Sequence, residues 1–220
     1  VTISTYAELK TAIANYSARA DLTGRDDEFI DNVEAKFNRR LRLRQMEATA
    51  TGNFVAGTAT IALPTDFLEA RSFTYDVATS APIKLEFVTP EQGDAMEYGT
   101  NAPPRWFTYA GGVIRLYPTP DQAYAYTLRH YVKVPALTSM NTTNFLLTAW
   151  PDAYLYGCLV EACAFAGDDP RLPIWKQGFE EAIGEMKRAD RLERFEAPTV
   201  QFDGELLDRR WGYRVLSDSY

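Results

Sequence analysis

A chain of 220 residues that is 46% hydrophobic, 13% aromatic and 24% charged is globular in composition, long enough for one large or two small packed domains. A formal net charge of −7 argues against a protein whose main task is gripping nucleic acid, but not against one past which DNA slides. No apolar run approaches the ~18–20 residues of a membrane-spanning helix, and the opening VTISTYAELK lacks the basic and apolar regions of an export signal.

Thr5-x-x-Glu8 forms a capping box, which satisfies orphan backbone N–H groups at a helix start. Leu9, Ala12, Ile13 and Tyr16 follow at helical spacing, so residues 5–18 are predicted as a helix, with the polar break ADLTG stopping at Gly24. A longer helix is predicted over residues 25–48 on the apolar stripe Ile30, Val33, Phe37 and Leu41. It carries the run NRRLRLR, with Arg39, Arg40, Arg42 and Arg44 close together. On a helix Arg39, Arg40 and Arg44 share a flank and Arg42 points elsewhere. The run therefore reads as a solvated face or a contact for an acidic protein partner, not as a continuous nucleic-acid-reading surface.

From residue 49 to 135 the character changes. NFVAGTATIAL, ARSFTYDV, APIKLEFV, PRWFTYA, GVIRLY and AYTLRHYVKV are short, rich in β-branched and aromatic residues, and punctuated by Gly and Pro, which predicts strands. PEQGDAMEYG is predicted as one short helix among them. Ala110-Gly111-Gly112 reads as a hairpin turn. The corner Tyr117-Pro118-Thr119-Pro120-Asp121 reads as a second hairpin connection, its prolines placed where no ladder N–H is needed.

Pro151 and Asp152 suit a helix start, where a missing N–H does no harm and an acid faces the dipole. Residues 153–166, AYLYGCLVEACAFA, are apolar on nearly every face, which predicts the central helix of a bundle. GDDP breaks it. A last helix is predicted over 173–196, burying Trp175, Phe179, Ile183 and Met186, with Asp190 and Arg194 as a surface pair. After Pro198 the chain carries no periodicity and is predicted as an extended tail. The plan is α+β: a helical bundle from residues 1–48 and 139–196, an inserted β-rich domain over 49–138, and a tail over 197–220.

Residues suited to chemistry are few. Cys158 and Cys163, the only cysteines, stand roughly 140° apart on a helix and read as buried free thiols suited to a reducing cytosol. With one histidine beside them, a thiolate or imidazole metal site has too few ligands. His130, mid-strand, reads as structural. No serine or cysteine lies in a nucleophile elbow, and Gly111-Gly112 lacks the helix and lysine of a phosphate loop. Glu86, Glu91, Asp94 and Glu97 leave a glycosidase-like carboxylate pair open, with solvated surface the simpler reading. Glu161, in the apolar helix, calls for an arginine or tyrosine partner from a neighbouring helix. The tail gathers interface-type residues (Phe202, Arg209, Arg210, Trp211, Tyr213, Arg214 and Tyr220) in a segment too short for a core, so it is expected to dock on its own β domain or on another chain. No catalytic, cofactor or metal residue is assigned.

Several phrases in fixed order carry a resemblance. They are NRRLRLRQMEA, LPTDFLEARSFTYD, LEFVTPEQ and PPRWFTYAGGVIRLYPTPD, then LRHYVKVPALTSMNTTNFLLTAWPDAYLYGCLVEACAFAGDDPRLPIWKQGFEEAI. The sequence resembles the head-to-tail adaptor (connector) proteins of tailed bacteriophages, especially the short-tailed type, over roughly residues 5–190. Matching positions include Gly111-Gly112, Pro118, Pro120, Leu128, Tyr131, Pro135, Asn144, Leu146, Leu147, Pro151, Asp152, Tyr154, Tyr156 and Glu161. His130 replaces an expected aromatic residue, and Trp106-Phe107 is bulkier than the usual pattern.

The resemblance implies a structural, non-enzymatic protein of the virion neck, made in the host cytoplasm and needing no cofactor. It implies a homo-oligomeric ring, about 12 subunits to match the portal above it, with tail nozzle, spike or fibre proteins below. Genomic DNA would pass through the lumen without sequence-specific binding, and no membrane is involved. At −7 per chain a dodecamer carries about −84 formally, which favours a path that repels DNA. The arginine run and the tail residues become candidates for subunit or portal contacts. The alternatives are a phage-associated glycan hydrolase using two β-domain acids, and a carbohydrate-binding β module exposing Trp106, Phe107 or Tyr109.

Overall fold

The structure, a computed structural model, describes residues 3–195 apart from 20, 21, 23, 78, 79, 97, 98 and 168. The tail assignments, from Phe202 to Tyr220, lie outside the described residues, as does Glu97. The helices are α1 (Tyr6–Ser17), α2 (Asp26–Arg40), α3 (Pro90–Ala95), α4 (Phe145–Ala149), α5 (Pro151–Ala166) and α6 (Leu172–Phe195). The strands are β1 (Glu47–Asn53), β2 (Thr60–Ala62), β3 (Phe67–Val77), β4 (Ser80–Lys84), β5 (Glu86–Phe87), β6 (Trp106–Ala110), β7 (Val113–Tyr117) and β8 (Ala125–Val132). The mixed α+β class expected from the sequence is what is found.

Helix α5 is the centre of the helical part, as its all-apolar sequence predicts. Its buried residues Ala153, Tyr154, Leu155, Cys158, Leu159 and Ala162 are covered by α1, α2 and α6. Gly157 is needed for this packing, since a Cβ there would stand 2.8 Å from Val33 Cγ1 and 2.9 Å from the Phe179 ring. Helix α1 begins at the predicted capping box, with Thr5 and Glu8 each accepting the other's backbone N–H. It stops at Ser17, well before Gly24, because Ala18 turns left-handed. The Arg171 guanidinium, at the start of α6, then donates to the Tyr16 and Ser17 carbonyls at 3.0 Å each. Helix α4 was not expected; Asn144 caps it by accepting the Leu147 N–H.

The long second helix is shorter than its stripe suggests. Ile30, Val33, Phe37 and Leu41 are all buried as expected, but α2 ends at Arg40 and Leu41 is extended. Leu41 and Leu43 are both buried while Arg42 and Arg44 lie outside them, so LRLR alternates as extended chain does. Arg42 caps the helix it leaves, donating to the carbonyls of Asn38 (2.8 Å) and Leu41 (2.6 Å). A 3-10 turn over Arg44–Met46 leads straight into β1, so strand begins where helix was expected.

The eight strands form two four-stranded sheets, in the orders β1-β8-β3-β4 and β2-β7-β6-β5. Among the described residues only β5 and β6 pair in parallel. Phe54, Phe73, Tyr75, Phe107, Ile114, Leu116 and Leu128 form their shared core. The Gly111-Gly112 hairpin is present between β6 and β7, both glycines having positive φ. The proline corner is not a hairpin: β7 belongs to the second sheet and β8 to the first, so residues 118–124 cross between sheets. The Tyr117–Pro118 peptide is cis. The corner's carbonyls hold the surrounding loops: Tyr117 O accepts the Arg105 N–H, Thr119 O that of Ala102 and Pro120 O that of Gly57. His130 is buried and stacked on Phe67 at 5.5 Å, a structural position.

After β8 the chain enters the helical core with Val134 and Leu137. Its backbone there is satisfied by side chains of α2 and by Asn144, which donates to the Pro135 carbonyl at 2.8 Å. Asn38 accepts the Val134 N–H (2.8 Å), and Glu34 Oε1 accepts the Leu137 N–H (2.9 Å). The Tyr154 hydroxyl donates to the same Glu34 oxygen (3.1 Å) and accepts from Asn144 Nδ2 (2.7 Å). Glu34 is 5% exposed, and burial pushes its carboxyl up to about 7 despite those two donors.

Two predictions follow from this packing. Folded Glu34 holds its proton more tightly than an unfolded glutamate near 4.5. Its contribution is therefore fully present below that value and is lost as pH rises through about 7, a change on the order of 3 kcal/mol. Glu34→Gln should flatten the pH dependence of the denaturant midpoint between about pH 5 and 8 and leave the variant more stable than wild type at the upper end. The Thr108 hydroxyl is buried without a hydrogen-bond partner among the described residues. Thr108→Val should stabilise by about 1 kcal/mol, raising the thermal midpoint by roughly 2–4 °C in calorimetry.

Candidate assembly surface

Three of the four arginines of NRRLRLR are engaged within the chain. Arg40, the last residue of α2, forms a two-pronged pair with Glu180 of α6 (Nη1 to Oε1, 2.8 Å) and lies over the Phe179 ring at 5.6 Å. The pairing raises the Arg40 guanidinium above its ordinary value and lowers the Glu180 carboxyl. Arg42 reaches Glu69 of β3 at 2.9 Å. Arg44 is held twice: Asp190 accepts its backbone N–H at 2.6 Å, and Glu193 pairs with its guanidinium. The flank expected for Arg39, Arg40 and Arg44 on one helix does not form, because the helix ends at Arg40 and the last two arginines continue on extended chain. What forms instead is a seam joining α2, α6 and the base of the first sheet. Arg39 and Arg44 are both exposed, and of the four Arg39 is the one without an ion pair among the described residues.

The other expected positions are also placed. Glu161 is half-buried and its partner is Lys36 of α2, neither an arginine nor a tyrosine. Asp190 is placed by Arg44, and the side chain of Arg194, its expected partner, lies outside the described residues. Cys158 and Cys163 are buried free thiols. Glu86 and Glu91 are exposed, while Asp94 accepts from the Tyr117 hydroxyl at 3.0 Å and pairs with Arg115 at 3.3 Å. Among the described residues no group of three His, Cys, Asp or Glu side chains is arranged to hold a metal ion. Phe107 is buried edge-on against Phe73, so Trp106, Phe107 and Tyr109 form no common platform.

Two features went unread in the sequence. The first is Glu34, whose signal was its spacing: it stands four residues after Ile30, on the buried side of α2. The second is a 550 Å³ cleft at the border of the two sheets, lined by Tyr75, Ile83, Pro103 and Trp106 with Lys84, Glu86 and Arg105. Phe87 lies exposed on β5 beside a neighbouring 290 Å³ cleft. Both grooves mix aromatic and charged side chains in their lining.

The seam can be measured directly. A double-mutant cycle on Arg40→Ala and Glu180→Ala should give a coupling of about 0.5–1 kcal/mol in denaturation, shrinking in molar salt because both groups are partly exposed.

No curated protein matches the chain. The model of the SU10 adaptor protein family matches residues 4–201, a span that takes in both cores, the arginine seam and the proline corner. With nearly the whole sequence inside that match, the chain belongs to the SU10 adaptor protein family, a structural class of bacteriophage head–tail adaptors.

Proposed function

We propose that this adaptor works as a ring, about 12 copies beneath the portal, that receives tail nozzle, spike or fibre proteins below and passes genomic DNA through its lumen without sequence-specific binding. The observation that carries this reading is the family match over residues 4–201. The structure is consistent with it. Helices and sheets form two cores joined by a charged seam, a rigid unit suited to being clamped between partners. The domain plan belongs to the same reading: the helical core draws on both ends of the described chain, and the sheet core lies between. Arg39, the aromatic cleft and the tail residues Phe202, Arg209, Arg210, Trp211, Tyr213, Arg214 and Tyr220 are the surfaces we assign to neighbours. A formal charge of −7 per chain suits a conduit that repels DNA. The work is structural, performed in the virion neck after synthesis in the host cytoplasm, and requires no catalysis and no cofactor.

Mixing the purified chain with the portal ring encoded beside it, and imaging the product by cryo-electron microscopy, tests this. A stoichiometric second ring under the portal is the expected result. Well-formed portal rings that leave the full-length chain unbound would refute it.

A further inference from the structure

The chain returns from the sandwich to the bundle through residues 133–144, and the hydrogen bonds of that crossing converge on one carboxyl. Glu34 Oε1 accepts both the Leu137 N–H (2.9 Å) and the Tyr154 hydroxyl (3.1 Å). Asn144 Nδ2 donates to the Tyr154 oxygen (2.7 Å) and to the Pro135 carbonyl (2.8 Å), while its Oδ1 caps α4 through the Leu147 N–H (2.8 Å). Further along, the Thr142 carbonyl accepts the Tyr6 N–H of α1 at 2.7 Å. An acid on α2, a hydroxyl on α5 and an amide at the start of α4 thus hold the crossing as one connected set.

The groups around Glu34 supply no counter-ion among the described residues. On α2 itself Asp31 is a second acid, and Lys36 is committed to Glu161 of α5. From α5 come Tyr154 and Cys158, both pushed further towards their protonated forms by burial. On α1, Lys10 pairs with Asp27 at 2.7 Å, and Glu8 is held by Ser4 and Thr5. Residues 134–149, which supply the crossing and α4, contain no charged side chain. Protonated, Glu34 is a neutral acceptor with two donors, suited to its burial. Ionised, it is a buried charge that gains most from reaching water. Helices α2 and α5 cannot part easily, because Val33, Phe37, Leu159 and Phe179 lie in one core. The crossing can: residues 138–143 are exposed, and lifting them away opens a path to the carboxylate.

We propose that the return crossing is a protonation latch: loss of the Glu34 proton releases residues 134–144 from α2 and α5 while the bundle and the sandwich stay folded. This is the opening of one segment, distinct from the loss of overall stability with pH. Release strips α4 of its Asn144 cap and α1 of its tie to Thr142, and leaves the polar ties of the outward crossing, through Arg42 and Arg44, to join the two cores. The closed form keeps its proton up to about pH 7, whereas a released glutamate titrates near 4.5. Between those values each pH unit favours release about tenfold, and the effect levels off above them. The latch lies within one chain and requires no ring.

Native-state hydrogen exchange of the full-length chain from about pH 5 to 8, corrected for the intrinsic pH dependence of exchange, tests this. Above about pH 6 the Val134 and Leu137 amides should exchange faster than the buried β7 amides. Their protection should fall about tenfold per pH unit up to about 7 and then level off. In Glu34→Gln the fall should be absent. Tyr154→Phe removes one donor to the carboxylate, so it should move the levelling to higher pH, a shift that simple fraying of the segment does not produce. Exchange of Val134 and Leu137 only in step with β7 would overturn the proposal. A fall that survives in Glu34→Gln, or a levelling that stays in place in Tyr154→Phe, would do the same.

Discussion

Helix α5 is apolar on nearly every face, and the architecture follows from the need to cover most of it, with Ala164 and Phe165 of its last turn left exposed. A helix with one apolar stripe is satisfied by one neighbour; a helix apolar all round must be enclosed. Here the enclosing pieces come from both ends of the described chain: α1 and α2 from one, α6 from the other. Gly157 sets how close they come, since it is the point where Val33 and Phe179 both press on the α5 backbone. The β sandwich is held at one end of this assembly because the chain must leave the bundle after α2 and return to it before α4.

Both crossings between the two cores are polar. On the way out, Arg42 caps α2 and reaches Glu69, while Arg44 is clasped by α6. On the way back, Asn38 and Glu34 receive the backbone of Val134 and Leu137. The outward crossing lies near solvent, where ion pairs are weak individually and act by fixing geometry. The return crossing is buried, where a single carboxylate with two donors fixes position more strictly and makes its environment sensitive to protonation. The cation-rich run of the sequence is thus mostly occupied inside the chain, through Arg40, Arg42 and Arg44.

What was legible in the sequence was whatever a local rule determines. Thr5 and Glu8 mark the start of α1, Pro151 marks that of α5, and Gly111-Gly112 marks a turn whose backbone demands it. The misread stretches are those where two local rules agree for a while and then part. Leu41 completes a helical stripe begun at Ile30, but it also begins the alternation that Leu43 continues, and burial against the far helix decides between them. The corner at Pro118 has the composition of a hairpin; only strand order, a long-range property, shows that it changes sheets. β1 escaped notice because its inward residues are Ala and Gly, which score poorly as strand formers and belong there because Tyr126 fills the space across them. Glu34 could be flagged by its spacing, but its role depends on Tyr154 and Leu137, more than a hundred residues away.

The helical core has a consequence for the order of events during synthesis. α1 and α2 touch each other little and pack chiefly on α5, so the first forty residues emerge from the ribosome with Leu9, Ile13, Val33 and Phe37 uncovered. At ordinary elongation speeds, roughly 5–20 residues per second, α5 follows only after several seconds to half a minute. During that interval the intervening sandwich has all its strands and can close around its aromatic core. The nascent chain therefore passes through a stage with its β strands complete and the apolar faces of α1 and α2 still uncovered.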